Sequence, residues 1–137
     1  MESGKKSVLC NKANCEHNSE ECNAYIYDIA AYMLYYDDNI YVSYADVEIT
    51  YQGEDAIYSG YIGLDCISAD GSKRKNIYSS DNGSVTSMKA VDGKLYFTTY
   101  EFHGGFKVNV YLHDHYLYKY DMVKDNFPSI ERINRGP

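Results

Sequence analysis

Tryptophan is absent, and cations are scarce: 13 Lys and Arg stand against 20 Asp and Glu, for a formal charge of −7. A surface of that sign repels phosphate backbones and excludes sequence-independent nucleic-acid binding. No basic run is long enough to hold a membrane surface. No apolar run approaches the roughly 18 residues of a membrane-spanning helix. The opening MESGKKSVLC has two lysines with no apolar stretch behind them, so no signal peptide is legible. The expectation is a cytoplasmic chain or an exported one whose signal has been removed. The ending RINRGP reads as part of something longer. Missing too are a G-x-S-x-G elbow, a phosphate-cradling glycine loop, a dinucleotide fingerprint and a D-x-[DN]-x-[DN]-G calcium loop.

Tyrosine, by contrast, is abundant: 17 Tyr against four Phe in 137 residues, with 45% apolar residues overall. That is enough for one domain with a real core. Tyrosine suits strands, where the ring packs on the pleated surface and the hydroxyl reaches polar partners. An aromatic platform for sugar or peptide is the alternative use, and the missing Trp weighs against sugar.

Residues 1–23 are polar, carry three cysteines, and read as an irregular segment. From Ala24 onward, short Tyr/Ile/Val/Thr runs alternate with turn residues and no helical period appears. Strands are predicted at 31–36, 40–44, 57–67, 73–78, 85–91, 95–100, 110–121 and 129–133. Turns fall at 37–39, 69–72, 92–94 and 123–126, and SSDNGS (79–84) reads as a loop. Pro128 sits at the edge of the last run, where a missing donor is tolerated.

An internal repeat organises these strands. DDNIYVSY aligns with DGKLYFTTY, placing Ile40–Tyr41 on Leu95–Tyr96, and GLDCISADGS corresponds to LYKYDMVKDN. Each unit reads as strand, tight turn, strand, insertion (45–56 or 101–109), long strand, turn, strand. Four antiparallel strands repeating at this period predict an all-β chain. Its units would be two four-stranded propeller-like blades, at 31–78 and 85–133 within a structural unit of 24–137. A small β-sandwich or meander is the alternative.

The turn–Ile/Leu–Tyr pairs (Asn39–Ile40–Tyr41, Lys94–Leu95–Tyr96) and the later Asp70–Gly71–Ser72 resemble bacterial propeller domains related to the YWTD-type propeller of low-density lipoprotein receptors. The stretch CNKANCEH…CNAY is similar to a pattern in surface lipoproteins of Clostridia-like Firmicutes. The resemblance spans about residues 8–133. It implies an exported, cell-surface protein with no assigned reaction, and a fragment of a larger propeller, since such rings hold several blades. On this reading the chain is a non-catalytic binding or scaffold module for a protein or carbohydrate ligand. Two blades leave two faces uncovered, so self-association or further blades are expected.

Catalysis has one set of candidates. His113 and His115 fall on one side of a predicted strand with Asp114 on the other, and His103 lies in the preceding insertion. Together they would serve a hydrolase or lyase of cell-wall or glycan material; otherwise they are strand-surface histidines. Acidic pairs such as Asp37–Asp38 sit in predicted turns, where carboxylates are solvated.

Cys10, Cys15, His17 and Cys22 give C-x4-C-x-H-x4-C. Three thiolates and one imidazole form a complete structural Zn²⁺ ligand set, with no position left for a catalytic water. The rivals are a Cys10–Cys15 or Cys15–Cys22 disulfide, or free thiols. Cys66 lies in a predicted inner strand as a buried free thiol, leaving an odd number in the cluster. In each case the role is structural: pinning the N-terminal segment to the first strands.

Overall fold

The computed structural model describes residues 9–26, 29–81, 83–102, 113–122 and 130–135. Among the described residues it has eight strands and no helix: β1 (Ile29–Tyr36), β2 (Asn39–Gln52), β3 (Asp55–Ser68), β4 (Arg74–Ser80), β5 (Gly83–Val91), β6 (Lys94–Phe102), β7 (His113–Asp121) and β8 (Ile130–Arg135). They form two four-stranded antiparallel sheets, each a meander in chain order, β1-β2-β3-β4 and β5-β6-β7-β8. Residues 9–26, within and just beyond the predicted irregular segment, hold neither strand nor helix.

Tight turns set the register. Asp37 and Asp38 take φ of 48° and 56°, and Asp92 and Gly93 take 48° and 74°. Two successive residues in the left-handed region are what a type I′ hairpin requires, because its twist matches that of the strands. The two turns are 55 residues apart, so the repeat in sequence is a repeat in backbone conformation.

Two expectations need correction. Residues 45–56 are not an insertion: β2 and β3 pair without interruption from Asn39↔Ser68 to Gln52↔Asp55. β1 reaches only Ala45 and β4 only Ile62, so 46–61 is a two-stranded ribbon projecting past the sheet. The polar/apolar alternation of Asp46-Val47-Glu48-Ile49-Thr50-Tyr51 carries that strand. Nor is SSDNGS a loop, for β4 runs to Ser80 and β5 starts at Gly83. Cross-strand pairing, Ile62↔Ser80 and Gly83↔Glu101, overrides weak local strand preference. The second predicted insertion lies mostly outside the described residues, as do Pro128 and the 123–126 turn.

The sheets share one core. Tyr41, Leu64 and Ile77 of the first sheet pack with Val85, Leu95, Phe97 and Tyr120 of the second. Leu64 and Leu95 are fully buried, each stabilising the fold by about 1.5–3 kcal/mol. Part of the tyrosine excess is explained here, although Tyr32, Tyr35 and Tyr51 are exposed. Tyr78, Phe97 and Tyr118 form a ring cluster with centroids 5.1–5.4 Å apart. Both phenols donate to Glu101 Oε1, at 2.5 Å from Tyr78 and 3.2 Å from Tyr118. Across the same interface the Tyr36 hydroxyl accepts from the Gly93 N–H at 3.2 Å, and Lys75 Nζ donates to the Tyr120 hydroxyl at 3.4 Å. Each ring thus fills the core while its oxygen is satisfied at the margin. The first strands of the two sheets, β1 and β5, lie next to each other.

The faces used are not equivalent. Directly opposed residues share a face, so Tyr41, Ser43, Leu64, Cys66 and Leu34 lie on one side of the first sheet, and Val42, Tyr44, Asp65 and Ile67 on the other. Leu95, Phe97, Thr99, Tyr116, Tyr118 and Tyr120 share a side of the second sheet; Tyr96, Thr98, Leu117 and Lys119 take its reverse. At the 55-residue offset, Tyr41 matches Tyr96, yet Tyr41 faces the shared core and Tyr96 faces away from it. Packing is therefore head to tail: the first sheet contributes one type of face and the second the other.

Candidate metal centre

Opposite the shared core, Val42, Tyr44, Asp65 and Ile67 are buried. The N-terminal segment is held on this side, and most of its anchors converge on the β3–β4 turn. Gly71, at φ +73°, accepts from Asn23 Nδ2 at 2.8 Å and from the Asn11 N–H at 3.4 Å. A Cβ on Gly71 would lie 2.7–2.9 Å from the backbone of Leu9 and Cys10, so only glycine allows this approach. Asp70 braces the turn, accepting from the Ser72 hydroxyl at 2.6 Å and the Ser72 N–H at 2.9 Å. Those bonds, with one from Ser68, hold its carboxyl at about 2, below its ordinary 3.8.

A buried ion pair supplies the second anchor. Arg74 Nε donates to Asp65 Oδ2 at 2.6 Å, and Arg74 Nη1 donates to the carbonyls of Asn23 and Tyr25. Asn76 Nδ2 and the Tyr44 hydroxyl donate to Asp65 Oδ1 at 2.8 and 3.3 Å. The Arg74 guanidinium lies 5.6 Å from the centre of the Tyr44 ring. That ring lies over Gly63, where a Cβ would come within 2.2 Å of it. Gly63 is thus a seat for an aromatic ring inside the strand.

On this platform Cys10, Cys15, His17 and Cys22 converge, with one ligand atom from each and all four atoms within 4.8 Å of one another. A tetrahedral zinc with bonds of about 2.0–2.3 Å has edges of about 3.3–3.8 Å. His17 Nδ1 and Cys22 Sγ, 3.4 Å apart, already stand at such an edge. A pair at the 4.8 Å limit would need to close by only about 1 Å to bind the ion. Left-handed turns at Asn14 (φ 60°) and His17 (φ 59°) fold the chain sharply enough for five-residue spacings to meet. Lys12 Nζ donates to the Glu21 carbonyl and ties the two ends of the segment together.

The sulfurs are prepared for a cation. Each accepts a backbone N–H from the residue two positions on: Cys10 from Lys12, Cys15 from His17, and Cys22 from Ala24 at 3.4 Å. The Lys12 N–H is the largest cause holding the Cys10 thiol at about 6, below its ordinary 9.0, with Asn23 and the neighbouring sulfurs adding to it against desolvation. For Cys15, the His17 N–H lowers the thiol, but burial and the adjacent Cys22 and Cys10 sulfurs outweigh it and leave it raised. Three thiols crowded together repel as thiolates, and a divalent cation removes that conflict. None of the four cysteines is in a disulfide, so the disulfide alternative is not the arrangement present. The donor set, and the backbone N–H groups that its sulfurs accept, fit a structural zinc ion closed by four protein ligands. Cys66, expected as a buried free thiol, forms no disulfide and is half-buried in β3 against the core.

The histidine candidates come out differently. His103 and the His113 side chain lie outside the described residues. His115 sits exposed on β7, opposite Tyr100 in the register. Asp114 instead accepts from the Tyr116 hydroxyl at 3.2 Å. No helix of the described residues is long and apolar enough to cross a membrane. No family model, curated protein or solved structure matches this chain.

Proposed function

We propose that this chain is a non-catalytic binding or scaffold module of a bacterial cell surface, built from propeller-type blades and pinned at its N-terminal end by a structural zinc. The observation that carries the reading is the closed Cys10–Cys15–His17–Cys22 set on the Gly71 turn. Its ligands complete the metal's shell, so the centre holds a segment in place and leaves no coordination position for a substrate. Two four-stranded meanders packed head to tail, with their first strands adjacent, support the blade reading. The acidic, tyrosine-rich composition suits protein or carbohydrate ligands over nucleic acid.

The test is co-sedimentation of the zinc-loaded protein with purified bacterial sacculi, with soluble glycan and peptide products assayed in the supernatant. Retention on the pellet without product release is expected. Release of products that depends on His103, His113 or His115 would overturn the reading in favour of a hydrolase or lyase.

A further inference from the structure

The outer face of the second sheet repeats the face by which the first sheet holds the second. Tyr96 stands where Tyr41 stands, Thr98 where Ser43 stands, and Leu117 where Leu64 stands, because Tyr41↔Cys66 and Ser43↔Leu64 correspond to Tyr96↔Lys119 and Thr98↔Leu117. In the first sheet those residues are buried, Tyr41 at 3% and Leu64 at 0% exposure, under Leu95, Phe97 and their neighbours. In the second sheet Tyr96, Thr98, Leu117 and Lys119 are only half-buried, and among the described residues no strand packs across them. The reverse face of the first sheet is already taken up: Val42, Tyr44, Asp65 and Ile67 are buried there, and the N-terminal segment is anchored beside them through Gly71 and Arg74.

We propose that the Tyr96–Thr98–Leu117 face is a docking surface for a further four-stranded sheet of this repeat. The incoming sheet presents large apolar and phenolic side chains at the positions of Leu95, Phe97, Tyr118 and Tyr120. This deepens the scaffold reading and rests on it: the stack grows in one direction only, away from the zinc. A second zinc-loaded copy of the chain is a poor occupant. Its Leu95–Phe97 face is buried in its own core, and its Val42–Ile67 face is likewise already buried. The two faces differ where Lys89 and Lys119 replace Leu34 and Cys66, which opposes lysines to the incoming rings. The existing interface shows how a lysine is accommodated there: Lys75 Nζ lies 5.9 Å from the centre of the Tyr120 ring and donates to its hydroxyl.

The experiment extends the whole chain by repeating residues 81–135 after Arg135, keeping the native two-residue connection between sheets. Tyr96 modification by tetranitromethane is then followed in the zinc-loaded protein, with Tyr96→Phe placed in one copy at a time. Expected is a loss of about tenfold in the reactivity of the original Tyr96, while its copy on the new outer face stays reactive. Leu117→Asp in the first copy restores the reactivity of Tyr96; in the unextended chain the same change leaves the denaturant midpoint in place. Equal reactivity of the two rings would overturn the proposal, whatever the sacculi assay gives. So would a zinc-loaded, unextended chain that already protects Tyr96 by dimerising. If Leu117→Asp unfolds the chain, Thr98→Lys and the ring comparison decide alone.

Discussion

Gly71 is the residue on which the metal segment turns, and its replacement separates docking from metal chemistry. Gly71→Ala meets both a left-handed φ and backbone at 2.7–2.9 Å. The expected cost is about 2 kcal/mol in denaturant unfolding, with zinc bound more weakly although every ligand is intact. The ligands make the complementary case. Protein purified without chelator should carry about one zinc per chain by elemental analysis, and Cys22→Ser should lose it. Zinc release should follow falling pH, since protons compete for thiolates. Asp65 gives a third measurement. Arg74 and Asp65 are only 14% and 6% exposed at their side chains. Removing the carboxylate in Asp65→Ala leaves a buried guanidinium uncompensated and should cost about 3 kcal/mol. Asp65→Leu with Arg74→Met should cost less than that single change. A larger loss in the double variant would show that Arg74's contacts to Asn23 and Tyr25, rather than the ion pair, carry the stability.

The elements respond to alkali through their tyrosines. Tyr78 is raised above the ordinary 10.0 by burial and by its bond to Glu101. Burial likewise raises Tyr118, with Glu101 adding to it, and raises Tyr41, with Cys66 next to it. A raised folded-state pKa means that the folded protein keeps protons the unfolded chain gives up. Stability from these groups is therefore complete below about pH 10 and falls as pH rises past it. Denaturant midpoints taken between about pH 8 and pH 11 should drop, and Tyr78→Phe should flatten the drop. At this scale the sequence was largely readable. All eight strands were visible because β-branched and tyrosine runs are punctuated by Asp-Asp, Asp-Gly and Gly-Ser turns whose conformations those residues tolerate. The ribbon at 46–61 was missed, although its period of two was plain, because a long connection between repeats invites the reading of insertion. The metal ligands were legible from residue type and spacing alone. What they rest on was not: Asn23 reaches Gly71 across 48 residues and Arg74 reaches Asn23 across 51. Contacts at that separation leave no local pattern, and the N–H two residues after each cysteine belongs to the backbone, which sequence does not display.

For the whole molecule, the zinc segment and the repeat make opposite demands on one surface. The face beside which the segment is anchored holds Ile40 and Val42, the counterparts of Leu95 and Phe97, which are the side chains the first sheet's other face binds. Once zinc is removed, the segment keeps its hydrogen bonds to the Gly71 turn and its contacts with Arg74 but loses the closure that gathers Cys10, Cys15, His17 and Cys22, and that face should become available. The Tyr96–Leu117 face of another copy is its match in type. Such a contact joins unlike faces and therefore does not close at two. Chelation should thus convert a concentration-independent species into open-ended, concentration-dependent oligomers. Size-exclusion chromatography with light scattering reads this directly, and circular dichroism should show the strand content retained, because the core between the sheets does not involve the metal. Leu117→Asp should block the oligomers without restoring zinc, and added zinc should dissolve them. Dimers alone, or aggregates insensitive to Leu117→Asp, would show that the segment does not shield a repeat face.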